Sequence, residues 1–324
     1  MTFVNPAAAA RARERIRDVD DFGDALLAGL KSTPKAIPCK YFYDSAGSKL
    51  FERISALPEY YLTRTEVSLL SLRADEIATV VGADAEIVEF GAGASDKIRI
   101  ILDRLVRPHA YIPVDISAAY LKATAAALEA DYPDLLVNPI VADFSVGLPP
   151  AIFSRDVRRR VGFFPGSTIG NFTPEEAKRF LQSAARLLKG GGLLIGVDLV
   201  KDPALLHAAY NDNEGVTAAF NKNLLVRANR EAGANFDVAR FAHYAPYNPH
   251  ARRIEMYLVS TVAQRVSVCG RSVSFSDGEA IQTEFSYKYS VDDFRALAHS
   301  VGFIPRALWY DPDRLFSVHW LEAA

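Results

Sequence analysis

The chain has 324 residues, 50% hydrophobic and 23% charged, with a formal net charge of −2. That is an ordinary globular composition with room for one large or two modest domains, and it lacks the basic footprint that binding to nucleic acid or an anionic membrane requires. Two cysteines, Cys39 and Cys269, are too few for a disulfide framework or a thiolate metal site.

The opening stretch Met1–Val19 carries Arg11, Arg13, Arg15 and Arg17 but no apolar core of signal-peptide length, and no later segment approaches the roughly 20 apolar residues of a membrane span. A cytoplasmic protein is expected, monomeric and without nucleic-acid or membrane partners. The next segments, Pro38 to Asp44 and Leu57 to Glu66, set tyrosine hydroxyls beside charges. Such side chains serve either as amphipathic ligand contacts or as cover for a sheet with their tips in water.

From about residue 65 to 200 helical and strand-like patterns alternate, which argues for a parallel sheet with helices on both faces. Ile87-Val-Glu-Phe-Gly-Ala-Gly-Ala-Ser-Asp-Lys97 reads as a buried strand, a glycine turn at Gly91 and Gly93, and a helix whose first N–H groups face an anion. A dinucleotide fingerprint needs a third glycine at position 96, where Asp96 stands. The shorter turn suits S-adenosylmethionine, which has no phosphate, and disfavours a nicotinamide-dependent oxidoreductase.

Ala110-Tyr-Ile-Pro-Val-Asp115 reads as the second strand, its acid placed to accept ribose hydroxyls. Leu135 to Val141 reads as a third, ending in Ala142-Asp143-Phe144, a carboxylate for the adenine amino group and a ring for its face. Alternatively, Asp115 and Asp143 only cap the helices that follow.

Gly166-Ser-Thr-Ile-Gly-Asn171 follows the fourth strand, where ligands lie in such sheets. Asn171 is either a ligand for a substrate carboxylate or amine, or a helix cap. Thr173 to Lys189 should be a helix with Thr173 and Glu176 as reciprocal caps, Pro174 at the first position and Gly190-Gly-Gly192 beyond its end. The strand Gly192 to Val200 follows, with Asp198 a site residue or a cap.

Past Lys201 the doubly wound rhythm gives way to Asn-rich sequence with helical patches, then strand-like segments at 252–262, 264–275 and 279–289, the last with clean alternation. Val291 to Val301 returns as a helix, and 305–310 with 315–321 can pair antiparallel across Asp311-Pro-Asp313. The expected fold is therefore α/β: a class I methyltransferase-type doubly wound sheet with an antiparallel C-terminal hairpin, over 62–200 and 289–324. A second, substrate-binding domain is expected over 1–61 and 201–288. The six histidines show no zinc spacing, and no Gly-x-Ser-x-Gly elbow offers a nucleophile, so no metal and no covalent intermediate are expected.

Eight strings then carry a family resemblance over nearly the whole length. They are Lys40-Tyr-Phe-Tyr-Asp44, Leu57-Pro-Glu-Tyr-Tyr61, Glu89-Phe-Gly-Ala-Gly93, Gly166 to Asn171, Asp198-Leu-Val-Lys-Asp202, Gly215-Val-Thr-Ala218, Arg253-Ile-Glu-Met256 and Thr283-Glu-Phe-Ser286. The chain resembles the histidine Nα-methyltransferases of ergothioneine biosynthesis, a group that includes tryptophan-type N-methyltransferases of ergot alkaloid pathways.

The resemblance implies that Gly91, Lys97, Asp115, Asp143 and Phe144 hold S-adenosylmethionine, with Lys97 against its carboxylate. It implies that Tyr60, Asn171 and Tyr210 take the carboxylate and amine region of L-histidine. Glu284 and Ser286 would bond the imidazole nitrogens, Met256 and Phe220 would form walls, and Tyr43 would lie near the reacting nitrogen. The α-amine would be methylated three times to the betaine hercynine, its proton leaving to water or through Tyr43.

Three positions depart from the family pattern: Tyr41 in place of Trp, Leu62 in place of Pro, and Tyr287 beside the Glu-Phe-Ser string. They leave the pocket walls, and so a tryptophan derivative or another small amine, open. An S-adenosylmethionine-binding regulator is the reading from outside the enzymes, and it would have no need of a second polar pocket.

Overall fold

The computed structural model describes residues 22–93, 95–149, 153, 157 and 159–324; the expectations for Met1–Val19 lie outside the described residues. In chain order, the first elements are α1 (Phe22–Lys31), β1 (Lys35–Ala36), α2 (Ser45–Ala56), α3 (Tyr61–Val81), β2 (Glu86–Phe90), α4 (Asp96–Leu102) and β3 (Ala110–Asp115). Next come α5 (Ala118–Asp131), β4 (Leu136–Val137), β5 (Ile140–Val141), β6 (Arg160–Phe164), α6 (Pro174–Leu187), β7 (Gly192–Asp198), α7 (Pro203–Tyr210) and α8 (Val216–Glu231). The rest are β8 (Phe241–Tyr244), β9 (Tyr247–Asn248), β10 (Arg253–Ser260), β11 (Gln264–Val268), β12 (Arg271–Phe275), β13 (Ala280–Tyr287), α9 (Val291–Ser300), β14 (Phe303–Tyr310) and β15 (Phe316–Ala323).

The chain divides into two compact units. One comprises Arg64–Val200 and Lys288–Ala324, and the other, in its described part, 22–63 and Lys201–Tyr287.

The first unit is an eight-stranded sheet in the order β14-β15-β7-β6-β2-β3-β4, with β5 also on β3. Pairing is parallel from β7 to β4 and antiparallel where β15 joins β7 and β14. β2 is buried at every position and β7 likewise, as strands covered by helices on both faces must be. Alternate residues feed two cores: Val88, Phe90, Ile112 and Val114 pack with Phe180 of α6, and Ile87, Tyr111 and Val161 with Leu70 and Ile77 of α3. The class I methyltransferase-type α/β architecture is therefore as expected.

α6 carries the anticipated capping box. Glu176 N–H donates to Thr173 Oγ1, Thr173 N–H donates to Glu176 Oε2 at 2.9 Å, and Pro174 sits inside the first turn. Two strand readings are corrected. Leu135 to Val141 is not continuous, because Pro139 offers no N–H to the ladder and splits it into β4 and β5. The 264–275 stretch is a hairpin, β11 and β12, turned at Cys269 and Gly270, which both take positive φ (48° and 69°) as tight hairpin turns require.

The second unit is built on a sheet ordered β1-β13-β10-β8, with β9 also on β10. Only the β1–β13 pair is parallel. β10 alternates buried and half-buried residues without interruption. β13 does not: its register slips between Met256 and Tyr257, so that Thr283 and Glu284 are both buried. The clean alternation expected over 279–289 is thus broken by a bulge.

Candidate active site

In the first unit the strand ends carry the candidate cofactor residues. Gly91 takes φ +74°, and a Cβ there would lie 3.4 Å from the Phe144 ring, while a Cβ at Gly93 would meet nothing within 4 Å among the described residues. The turn after β2 is thus open on one side, the kind of cradle a nucleoside cofactor needs. The N–H groups of Gly91 and Ala92 donate to Val114 O, which seats this turn against the end of β3.

Asp115 ends β3, and its Oδ1 accepts the Ser117 N–H at 2.8 Å. Burial raises its pKa to about 6, against the backbone bonds that lower it. Asp143 accepts Ser145 N–H at 2.9 Å and caps a short 3-10 turn at Phe144–Val146. Asp143 thus caps the segment that follows it, whereas the N-cap of α5 is Ser117 and Asp115 holds that residue's N–H from two positions before it. Phe144 lies among Phe90, Phe164, Phe172 and Phe180, with ring centroids 5.6 to 6.4 Å away.

Lys97, expected against a ligand carboxylate, meets the carboxylate of Glu66 at 2.6 Å. Glu66, on α3, is buried and also accepts the Gly166 N–H at 2.8 and 2.9 Å. The room for it comes from Gly196, where a Cβ would fall 2.1 Å from Glu66 Oε1. The segment Leu57 to Glu66 stands out for its tyrosines beside charges, but the pairing of Glu66 is not local, its partners lying 31 and 100 residues away.

Gly166 and Ser167 both take positive φ, 78° and 56°, and the turn closes in a 3-10 segment, Thr168–Asn171. Asn171 is not the cap of α6, a position that Thr173 holds. Asp198 forms a fully buried ion pair with Lys288 at 2.7 Å, and the cap of the helix that follows is Asp202. Glu89, at the end of β2, is buried with the Tyr111 hydroxyl donating to it, and burial pushes its pKa to about 8.

In the second unit the structure brings together Tyr43, Tyr60, Tyr210, Phe220, Met256, Glu284 and Ser286. Tyr43 packs edge-on against Phe220 at 5.7 Å, and Tyr60 against Tyr210 at 6.3 Å. Phe51, which no pattern singled out, joins them, 5.6 Å from Tyr43, 6.2 Å from Tyr60 and 6.0 Å from Phe220. Tyr210 and Ser286 share a 2.7 Å hydroxyl hydrogen bond.

Met256 stands opposite Glu284 in the β10–β13 ladder, and Ile254 opposite Ser286. Glu284 and Ser286, two apart, share a buried face by ordinary alternation, and the bulge at Thr283 is what lets Thr283 and Glu284, adjacent in the chain, both be buried. A second group anchors the segment that carries Tyr43: Asn223 donates to Asp44 at 2.8 Å, Arg230 pairs with the same carboxylate, and Arg227 donates to Tyr41 O at 2.8 Å. Among the described residues no group of three or more His, Cys, Asp or Glu could hold a metal, and no helix is long and apolar enough to cross a membrane.

Two constellations are therefore present, an open glycine turn at parallel strand ends and an aromatic cluster with a carboxylate and a hydroxyl, and comparison to known proteins gives the family. The chain is 42% identical to a histidine N-alpha-methyltransferase of Mycolicibacterium smegmatis over 96% of each chain. It is 41% identical to the histidine N-alpha-methyltransferase of Mycobacterium tuberculosis, over 88% of this chain and 89% of that one. Ergothioneine biosynthesis protein 1 of Neurospora crassa is 29% identical over 86% of this chain, which spans 32% of that larger protein. The family model for the histidine-specific, S-adenosylmethionine-dependent methyltransferases matches residues 22–323, and the chain belongs to that family.

Proposed function

We propose that this protein trimethylates the α-amino group of L-histidine to hercynine, a step of ergothioneine biosynthesis, with S-adenosylmethionine as methyl donor. The observation that carries the reading is the pairing of Glu284 and Ser286 on one buried face, with the Tyr210 hydroxyl on Ser286. A neutral imidazole has one N–H and one bare nitrogen. Glu284 accepts from the first. If Tyr210 donates to Ser286 Oγ, the serine proton remains for the second. An indole offers one N–H only, so a tryptophan derivative would leave Ser286 without its partner.

S-adenosylmethionine supplies an activated methyl group; Gly91, Gly93, Lys97, Asp115, Asp143 and Phe144 are the residues that would hold it. The open side of the turn at Gly93 and the acid ending β3 support this assignment. The rest of catalysis is positioning, since displacement at an activated methyl needs a neutral amine and correct aim. The aromatic faces of Tyr43, Tyr60 and Phe220 suit a nitrogen that becomes cationic at each transfer, sheds a proton after the first and the second, and is permanently charged after the third. Tyr43 is the assigned neighbour of that nitrogen, and Tyr60 and Asn171 keep the carboxylate and amine region. Residues 22–63 and 201–287 are accordingly assigned as the substrate domain, in a monomeric cytoplasmic enzyme.

Incubating the protein with S-adenosylmethionine and each of the twenty amino acids in turn, read by mass spectrometry, should give a three-methyl mass gain with histidine alone. Glu284→Gln should raise the histidine KM by about tenfold or more, the scale of a hydrogen bond to a charged group. A larger gain with another amino acid, or a wild-type KM in Glu284→Gln, overturns the reading.

A further inference from the structure

Strict alternation along β13 would send Thr283 and Glu284 to opposite faces of the sheet. The register shows how this is avoided. Met256 stands opposite Glu284 and Tyr257 opposite Gln282, leaving Thr283 as the extra residue of a bulge. An extra residue disrupts the ladder locally and needs support from elsewhere. Asn221 of α8, fully buried, provides it. The Thr283 hydroxyl donates to Asn221 Oδ1 at 2.8 Å and lies 3.1 Å from Met256 O. Asn221 Nδ2 donates across the slip to Tyr257 O at 3.0 Å and to His243 Nδ1 at 2.9 Å. His243 Nε2 in turn donates to Tyr210 O at 2.9 Å.

Directions in this network are fixed by its members. Turning the Asn221 amide over would set its oxygen against the Tyr257 carbonyl, so nitrogen must face the carbonyl and oxygen the threonine. With Asn221 donating to Nδ1, His243 is held as the neutral tautomer that carries its proton on Nε2. Burial lowers the His243 pKa in the same direction; among its neighbours Asp212 opposes this and Lys222 assists. A fully satisfied buried network of this kind selects one arrangement of the groups it joins.

We propose that Thr283, Asn221 and His243 are positioning residues for substrate recognition: their hydrogen-bond chain locks the bulge that turns Glu284 inward and ties it to Tyr210. Specificity for an imidazole ring then depends on three side chains to which no substrate contact is assigned. This rests on the reading that Glu284 and Ser286 grip the ring.

Thr283→Val keeps the shape and removes the donor, and Thr283→Ser keeps the donor. Thr283→Val should raise the histidine KM about tenfold, the scale of a buried acceptor left unpaired, with kcat and the S-adenosylmethionine KM within about twofold of the parent. Thr283→Ser should stay near the parent KM. An unchanged histidine KM in Thr283→Val overturns the proposal, as does a parallel loss in all three constants, which would mean general loosening. Should Thr283→Val not fold, His243→Gln at its half-buried site gives the answer: a raised histidine KM alone supports the network, and an unchanged one refutes it. A wild-type KM in Glu284→Gln would instead remove the underlying reading, whatever Thr283→Val does.

Discussion

Around the strand ends of the parallel unit, acids are buried against a lysine or a hydroxyl: Glu66 with Lys97, Asp198 with Lys288, Glu89 with Tyr111. On the buried face of β10 and β13, the polar groups around the single carboxylate of Glu284 are hydroxyls, an amide and an imidazole. The two arrangements solve different problems. A buried ion pair compensates two desolvation costs at once, and losing one partner strands the other. A chain of neutral hydrogen bonds costs less to desolvate but fixes direction at every link. The charged strand ends should therefore govern stability and its pH dependence, and the neutral face should govern which amino acid is accepted.

The hardest test of that contrast is Lys288→Met. Both members of the Asp198–Lys288 pair are fully buried. Removing the lysine takes the ion-pair partner from a fully buried carboxylate, and urea unfolding should show a loss of about 3–5 kcal/mol. The double variant Asp198→Asn with Lys288→Met should recover much of it. A single variant within about 1 kcal/mol of the parent would break the comparison, because the pair would then not be a stability element.

Glu89 tests the pH side. Its folded pKa, about 8, is raised above the ordinary 4.5 chiefly by burial, with Glu66 and Asp115 adding and Tyr111 and Lys97 opposing. A raised carboxyl contributes stability that is fully present below pH 4.5 and is lost as pH rises through 8. Glu89→Gln keeps an acceptor for Tyr111 and carries no proton to lose. Its unfolding midpoint should match the parent near pH 4.5 and exceed it increasingly toward pH 9. A constant offset across that range would show that the carboxyl titrates normally in the fold.

How far each unit is legible in the residues follows from the same contrast. In the parallel unit the strand runs straight into its glycine turn, and Asp115 follows 24 residues after Gly91 at the end of the next strand, so Gly91, Asp115 and the Thr173 cap stand out by sequence spacing alone. What local spacing hides there are partners distant in the chain. Lys288 lies 90 residues from Asp198, and Glu66 pairs with a lysine one helix and one strand further on. Val268-Cys-Gly-Arg271 lacks the Asn-Gly or Asp-Gly of an obvious hairpin, so β11 and β12 look like one strand. In the second unit Glu284 and Ser286 are conspicuous only through family resemblance. Period-two reading over 279–289 misses the bulge, because the supporting Asn221 and His243 belong to other elements. Phe51 is hidden for a similar reason: it sits on a short helix whose pattern is satisfied by any apolar residue.

The smallest expected effect is the one that separates the two units most cleanly. Ser286→Ala removes a neutral hydrogen bond to Tyr210 and, on the proposed reading, one to the ring. A neutral bond contributes about 1 kcal/mol net, so the histidine KM should rise about fivefold. The unfolding midpoint should move by less than about 1 kcal/mol, because no charge is stranded. The effect should be the same at pH 8 and pH 9, where free imidazole is uncharged and Glu284 needs only to accept. Steady-state kinetics at those two pH values, with urea unfolding alongside, makes the check. A large stability loss with unchanged KM would assign Ser286 to the support of the sheet. A KM change that grows with pH would mean that a charge controls this face as well, and the division between a charged edge and a neutral recognition surface would no longer hold.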